Sequence, residues 1–237
     1  VYKERIYRNT LRQTDLVSFE AKLKETDLFL LANRNLRQQA QNSILRHREE
    51  IEGYIKKDPF FRETHKPYRV RRDAPLIVQA MAKAGFKAGV GPMAAVAGAI
   101  AEFVGKDLLS YSPEIIIENG GDIFIVTSRP RRIGIFAGNS PLSNKLVIEI
   151  EPASTPLGVC TSSGTVGHSM SFGRADAVVV LSRSTPLADA AATAICNTIQ
   201  KEVDIPKGIE LAKEIEGITG LLIVIGSRMG VWGEIKL

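Results

Sequence analysis

Cysteine is scarce in this chain of 237 residues: Cys160 and Cys196 are the only two, with no CxxC pair and no Cys/His cluster. That excludes a disulfide framework and a structural zinc site, and reduced thiols are the expectation. Aromatic residues amount to 6%, with one Trp, which is too few for a platform that stacks nucleic-acid bases. No apolar run approaches the ~18 residues that a membrane span requires. The first residues, Val1-Tyr2-Lys3-Glu4-Arg5, lack the apolar core of a secretory signal. A cytoplasmic protein with neither a nucleic-acid nor a membrane partner is therefore expected.

What is present is an ordinary globular balance of 44% hydrophobic and 24% charged residues. The length suits one sizeable core, or two fused half-domains that share a sheet. A formal charge of +5 and a pI near 9.2 favour an anionic partner. The basic clusters are Arg69-Val70-Arg71-Arg72 and Arg129-Pro130-Arg131-Arg132. A phosphate-bearing ligand explains them, and so does a solvated face.

Periodicity predicts strands at Tyr2–Arg8 and within Val17–Ala32, where Phe19, Ala21 and Leu23 alternate with charged neighbours. Asn35 is placed to cap a helix from Leu36 to about Lys57, with Leu36, Ala40, Ile44, Ile51 and Ile55 on its apolar face. Asp58–Val70 reads as a loop, its Phe60-Phe61 pair being a lid or a buried anchor. Helices are expected over Pro75–Ala84, stopped by Gly85, and over Met93–Val104, stopped by Gly105. Strands follow near 114–118, 122–127, 132–137 and 145–150, then a Pro/Ser/Thr/Gly-rich loop from Glu151 to His168. Ala177–Leu181 reads as a buried strand, Pro186–Glu202 and Lys207–Ile215 as helices, and Leu221–Ile225 and Val231–Ile235 as closing strands. Grouped strands around helix pairs predict an α+β fold with a mainly antiparallel sheet, in two halves of β-β-α-α-β-β order.

Three short motifs carry the chemistry. In the first, Asn119-Gly120-Gly121-Asp122 separates Ile115-Ile116-Ile117 from Ile123-Phe124-Ile125. Paired glycines between buried strands mark a tight hairpin or a close approach of the backbone to a ligand, flanked by an amide and a carboxylate. The second, Thr161-Ser162-Ser163-Gly164-Thr165, leads to His168. Its hydroxyls and amides can surround an anion, or form a polar surface turn; His168 suits acid–base work near neutral pH, or a structural role. In the third, Ala188-Asp189-Ala190-Ala191-Ala192-Thr193-Ala194, Asp189 and Thr193 share one helix face a turn apart. Carboxylate and hydroxyl so placed can share a hard cation such as Mg²⁺; alternatively Asp189 complements the helix dipole while Thr193 packs.

In order and spacing these motifs resemble the ApbE family of FAD:protein FMN transferases over about residues 75–200. Val90-Gly91-Pro92-Met93-Ala94 stands for that family's glycine-rich helix start, and the three motifs above for N-x-G-G-D, T-S-G with histidine, and A-D-x-x-x-T-A. The run from Ser162 to Ala177 is similar to that of the UPF0280 proteins, a compact branch of the superfamily. The resemblance implies a T-fold-like tandem arrangement, one domain over 1–237 made of two intertwined halves with the flavin site between them. Asp189, Thr193 and the Ala94 carbonyl would hold Mg²⁺. FAD or FMN would be lined by Gly91, Asn119, Gly120, Gly121, Asp122, Thr161, Ser162, Ser163, Gly164 and His168, with His168 and Asp189 in catalytic roles.

Full activity would release AMP from FAD and esterify FMN to a threonine of an acceptor protein. Two departures stand out: the family lysine after the glycine-rich turn falls on Ala95, and its aspartate after the histidine is missing. UPF0280 kinship also implies an alternative, an accessory protein of sulfur assimilation and homocysteine formation, in which Cys160 would carry a persulfide. A homodimer fits the small-residue helices and basic face without being demanded by them.

Overall fold

A computed structural model describes residues 15–166 and 172–237. The strand expected at Tyr2–Arg8 and the residue His168 lie outside these.

The chain opens with a hairpin, β1 (Val17–Leu23) and β2 (Thr26–Ala32), followed by helices α1 (Arg37–Lys57), α2 (Phe60–Glu63), α3 (Leu76–Ala88) and α4 (Val96–Leu108). A second hairpin, β3 (Ile115–Asn119) and β4 (Asp122–Val126), leads to β5 (Arg131–Gly134) and β6 (Val147–Ile150). Then come β7 (Leu157–Ser162), β8 (Ala177–Ser182), α5 (Thr185–Thr198), α6 (Ile205–Glu214), β9 (Ile218–Ile225) and β10 (Arg228–Gly233). Eight strands form one sheet in the order β1-β2-β3-β4-β7-β8-β9-β10, antiparallel at every pairing, while β5 and β6 pair separately.

Strand pleating sends alternate residues to two cores. Ile115, Ile117, Phe124, Val178, Val180, Leu221 and Ile223 meet the helices. Ile116, Ile123, Ile125, Val179, Leu222 and Val224 face the opposite side, with Ile133 and Ile148 of the β5–β6 hairpin. Cover on both faces explains why antiparallel strands here read as continuous apolar runs instead of alternating.

The largest departure from the sequence reading is β7, a buried strand inside the stretch expected to be loop. Its composition answers to a close neighbour: a Cβ on Gly158 would stand 2.5 Å from Thr185 Cα, so α5 crosses where a side chain would be. Gly85 and Gly105 do not end their helices either. They lie within them because neighbours occupy the space of a side chain: a Cβ would stand 2.8 Å from Val90 O at Gly85, and 2.2 Å from the Phe124 ring at Gly105. Instead α3 closes on Gly89, left-handed at φ 74°. Asn35 stands one residue before the N-cap of α1, Leu36, which has no side-chain cap, yet its Oδ1 accepts the Arg37 N–H at 3.0 Å. Phe61 is the buried anchor, edge-on to Tyr54 at 5.2 Å, and Phe60 is exposed.

The second basic cluster is in part structural. Arg131 is buried, donating to Asp15 Oδ1 at 2.6 Å and Glu114 Oε2 at 2.8 Å. Burial works to raise the Glu114 carboxyl, but hydrogen bonds from Arg131, Ser128 and Thr127 outweigh it and hold the group at about 2. Among the described residues no single helix is long and apolar enough to cross a membrane; the apolar stretch Leu76–Ala88 plus Pro92–Leu108 is bent by 106°.

Candidate functional site

The Gly120-Gly121 pair is a two-residue hairpin turn, with Asn119 opposite Asp122 and φ of 69° and 110° at the glycines. Positive φ at both central positions is what a type I′ turn requires, so the glycines are demanded by backbone geometry. A Cβ on Gly120 would meet nothing within 4 Å, leaving that edge of the turn open. Gly121 N donates to Glu118 Oε1 at 2.8 Å, and Asn119 Nδ2 donates to Ala97 O at 3.0 Å. The turn is thereby tied to the first residues of α4.

From the other side α5 reaches the same point. Gly98 N donates to Asp189 Oδ2 at 2.8 Å. Only glycine fits there: an added Cβ would be 2.6 Å from Thr185 O and 2.9 Å from Asp189 Cβ. Glu102, one turn further along α4, accepts the Thr185 N–H at 2.7 Å and so caps α5 from a neighbouring helix. The 3-10 turn Pro92–Ala95, with the half-buried Ala94, packs against α5 as well. Thr193 lies half-buried one turn beyond Asp189.

Asp122 faces inward from β4, beside Cys160 of β7, its partner in register. Burial first, then the charge of Asp189, raises the Asp122 carboxyl well above its ordinary range, despite hydrogen bonds from Cys160 and the Thr161 N–H. Asp189 keeps some accessible area but is crowded by protein, and burial pushes it up to about 7 against the Gly98 and Ala97 amides. Two buried side-chain atoms have no hydrogen-bond partner among the described residues: Asp122 Oδ1 and Thr185 Oγ1. Both belong to this cluster. A like-charged, under-satisfied pair of carboxylates in low dielectric is an arrangement that a proton or a cation relieves.

Ser162 is buried on β7 and Thr161 half-buried beside it. Ser163 Oγ accepts the N–H of Thr165 at 3.1 Å and of Val166 at 2.9 Å, closing a tight polar turn. Gly164 lies against Gly173 O, which a Cβ would meet at 2.0 Å. Gly91 proves to be a packing glycine, since a Cβ would be 2.0 Å from Thr64 O of the loop after α2. Cys160 is fully buried; burial, then the Asp122 and Asp189 charges, raises its thiol well above the ordinary value. That gives it neither the access nor the thiolate character that a persulfide carrier needs.

Sequence reasoning passed over Gly98, Glu102 and Thr185, whose importance arises only where two helices cross. Among the described residues no group of three His, Cys, Asp or Glu side chains is placed to hold a metal. A groove of about 300 Å³ lies elsewhere, between the β1–β2 turn and α1, and its Lys24 and Arg48 both pair with Glu52.

Comparison with known proteins agrees with this architecture. The family model described as AbpE bacteria matches residues 8–215. A UPF0280 protein of Methanococcus aeolicus is 48% identical over 201 residues, covering 83% of this chain and 81% of its own. That of Methanocaldococcus jannaschii is 45% identical over 219 residues, covering 90% and 89%. Among solved structures, a mutant of the flavin transferase ApbE from Vibrio cholerae superposes with a TM-score of 0.60 at 14% identity, over 93% of this chain and 97% of that one. The apo flavinyl transferase ApbE of Pseudomonas stutzeri gives 0.54 at 16% identity, over 94% and 95%. At such identities these likenesses concern the fold, whereas the sequence matches reach the family: the chain belongs to the UPF0280 proteins and to the family described as AbpE bacteria.

Proposed function

We propose that this protein binds a flavin nucleotide, FAD or FMN, with Mg²⁺, in a cytoplasmic setting. The observation that carries the reading is the Asp122–Asp189 pair, with Asp122 Oδ1 buried and unpartnered among the described residues, close to a turn that is open at Gly120. Its oxygen donors are of the hard kind that Mg²⁺ prefers, so the residues fit the ion. Asp189 and Thr193 would hold it, with the Ala94 carbonyl. Bound there, Mg²⁺ supplies charge neutralisation on phosphate oxygens.

The chain's own groups do the rest. Asn119 fixes the turn against α4 and Gly120 leaves room for the ligand; the amides of Gly164, Thr165 and Val166 are spent within the protein, so the Ser163-Gly164 turn, with Gly91, Thr161 and Ser162, shapes the walls behind. Asp122 keeps one acceptor oxygen without a partner among the described residues. His168 is assigned to the nucleotide by motif alone. The two groups of strands, β1–β4 and β7–β10, support reading 1–237 as a T-fold-like domain of two intertwined halves.

Transfer of FMN to an acceptor protein is the finer form of the proposal. Ala95 in place of lysine and the missing aspartate weigh toward binding without transfer. Thermal unfolding with FAD and FMN, with and without Mg²⁺, tests the reading: a Mg²⁺-dependent rise in Tm is expected, abolished in Asp189→Asn. No rise with either flavin at millimolar concentration refutes it. Intact mass of a threonine-containing acceptor, incubated with protein and FAD, decides the transfer step.

A further inference from the structure

The loop after α2 and the segment after the Ser163-Gly164 turn meet through two exposed rings. His65 and Phe172 lie with centroids 6.3 Å apart at an interplanar angle of 82°. Phe172 is 66% exposed, yet its backbone is firmly held. Its N–H donates to Asn197 Oδ1 at 2.8 Å and its carbonyl accepts from Gln200 Nε2 at 2.8 Å. The next residue, Gly173, is pressed onto Cys196 O so closely that a Cβ would stand 1.7 Å away. His65 is held comparably: Thr64 contacts Gly91 through its carbonyl, and the Thr64 hydroxyl accepts the Lys66 N–H at 3.1 Å. Two anchored backbones thus present a ring each to solvent at one place, and a use for the pair is to be sought in what lies beside it.

Their position supplies one. Asp189, Thr193 and Asn197 follow one another at intervals of four on α5, so they share a face. Asn197 brings Phe172 to the far end of that face, on the order of 12 Å from Asp189 along the helix axis. The loop bearing His65 packs on Gly91, just before the 3-10 turn that also lies against α5. The centroid spacing falls just short of the roughly 7 Å, two van der Waals separations, that a third ring between them needs. A third ring between them would also require one of the two exposed side chains to turn out of this edge-to-face arrangement.

We infer that His65 and Phe172 are the jaws that take the flat heteroaromatic ring of the nucleotide whose phosphates lie at Asp189 and Thr193. The inference rests on the flavin-nucleotide reading above and adds the residues that grip the ring. Aromatic faces stack on such rings with little regard to their hydrogen-bonding edges.

The test is equilibrium binding of FAD, FMN and ADP, each with Mg²⁺, to the wild-type protein, His65→Ala, Phe172→Leu, Phe172→Trp and Asp189→Asn. Phe172→Leu keeps apolar bulk but lacks a π-face, and at an exposed position it leaves the unfolding temperature unchanged. It is expected to weaken FAD binding by roughly 5- to 100-fold while keeping its Mg²⁺ dependence. His65→Ala is expected to act in the same direction. Phe172→Trp restores affinity, and its indole emission is quenched by bound flavin. Loss confined to FMN assigns the isoalloxazine to the jaws; loss confined to ADP assigns the adenine. Affinities within twofold of wild type for all three ligands in both His65→Ala and Phe172→Leu overturn the inference, while the Asp189→Asn result still upholds the nucleotide site. Absence of any Mg²⁺-dependent binding by the wild type overturns both.

Discussion

Gly98 is where the site and the stability of the fold meet, and replacing it with alanine separates two opposed effects. In a helix interior, Gly→Ala gains about 0.5–1 kcal/mol through backbone entropy. At position 98 the new Cβ would lie 2.6 Å from Thr185 O and 2.9 Å from Asp189 Cβ, against ordinary separations of about 3.5–4.0 Å between carbons. Neither neighbour yields readily. Thr185 is fixed by its N–H to Glu102 at 2.7 Å, and Asp189 by Gly98 itself at 2.8 Å. Overpacking of this kind costs about 1–3 kcal/mol. The net expectation is a loss of about 1–2 kcal/mol, and at 2–4 °C per kcal/mol a fall in Tm of about 2–8 °C. Gly53 in α1 is the control, because a Cβ there meets nothing within 4 Å; Gly53→Ala is expected to raise Tm by a few degrees. Calorimetry on both variants gives the answer. Flavin- and Mg²⁺-dependent stabilisation should survive in Gly53→Ala and be lost in Gly98→Ala, whose α4 is pushed off Asp189. Should Gly98→Ala stabilise as much as Gly53→Ala, the close helix crossing invoked for the site is wrong.

Three further outcomes follow from the same geometry. Glu114 is depressed from 4.5 to about 2, so its contribution is present above pH 4.5 and lost as pH falls through about 2; the gap corresponds to on the order of 3 kcal/mol at most. Glu114→Gln should lower stability at pH 7 by part of that amount and flatten the acid limb of a pH–stability curve; an unchanged acid limb counts against the Arg131 network. Cys160 should resist alkylation at pH 8 in the native protein and react after unfolding, and Cys160→Ala should keep flavin binding, whereas rapid native labelling would revive a sulfur-carrier role. Phe61→Ala should destabilise by about 3–5 kcal/mol, read by denaturant unfolding, because the ring is wholly buried; Phe60→Ala should change little.

Much of the fold was legible in order along the chain, because apolar runs such as Ile115-Ile116-Ile117 and Leu221–Ile225 must be buried wherever they occur. Glycine was the recurrent source of error. Gly85 and Gly105 look like helix stops, and Gly158 looks like loop, since their local sequence carries no trace of the Val90 carbonyl, the Phe124 ring or Thr185 pressing on them. The hairpin at Gly120-Gly121 was readable because a two-residue turn is a local requirement. That Asp189 and Thr193 share one face of α5 was readable for a similar reason, since helical spacing is local. That the charge of Asp189 acts on Asp122, with Cys160 and Gly98 close by, was decided only when β4, β7, α4 and α5 packed together. The sequence by itself determined which residues had to be buried and which could turn; tertiary packing decided which charges share a low-dielectric space, because such proximity depends on crossings between elements far apart in the chain.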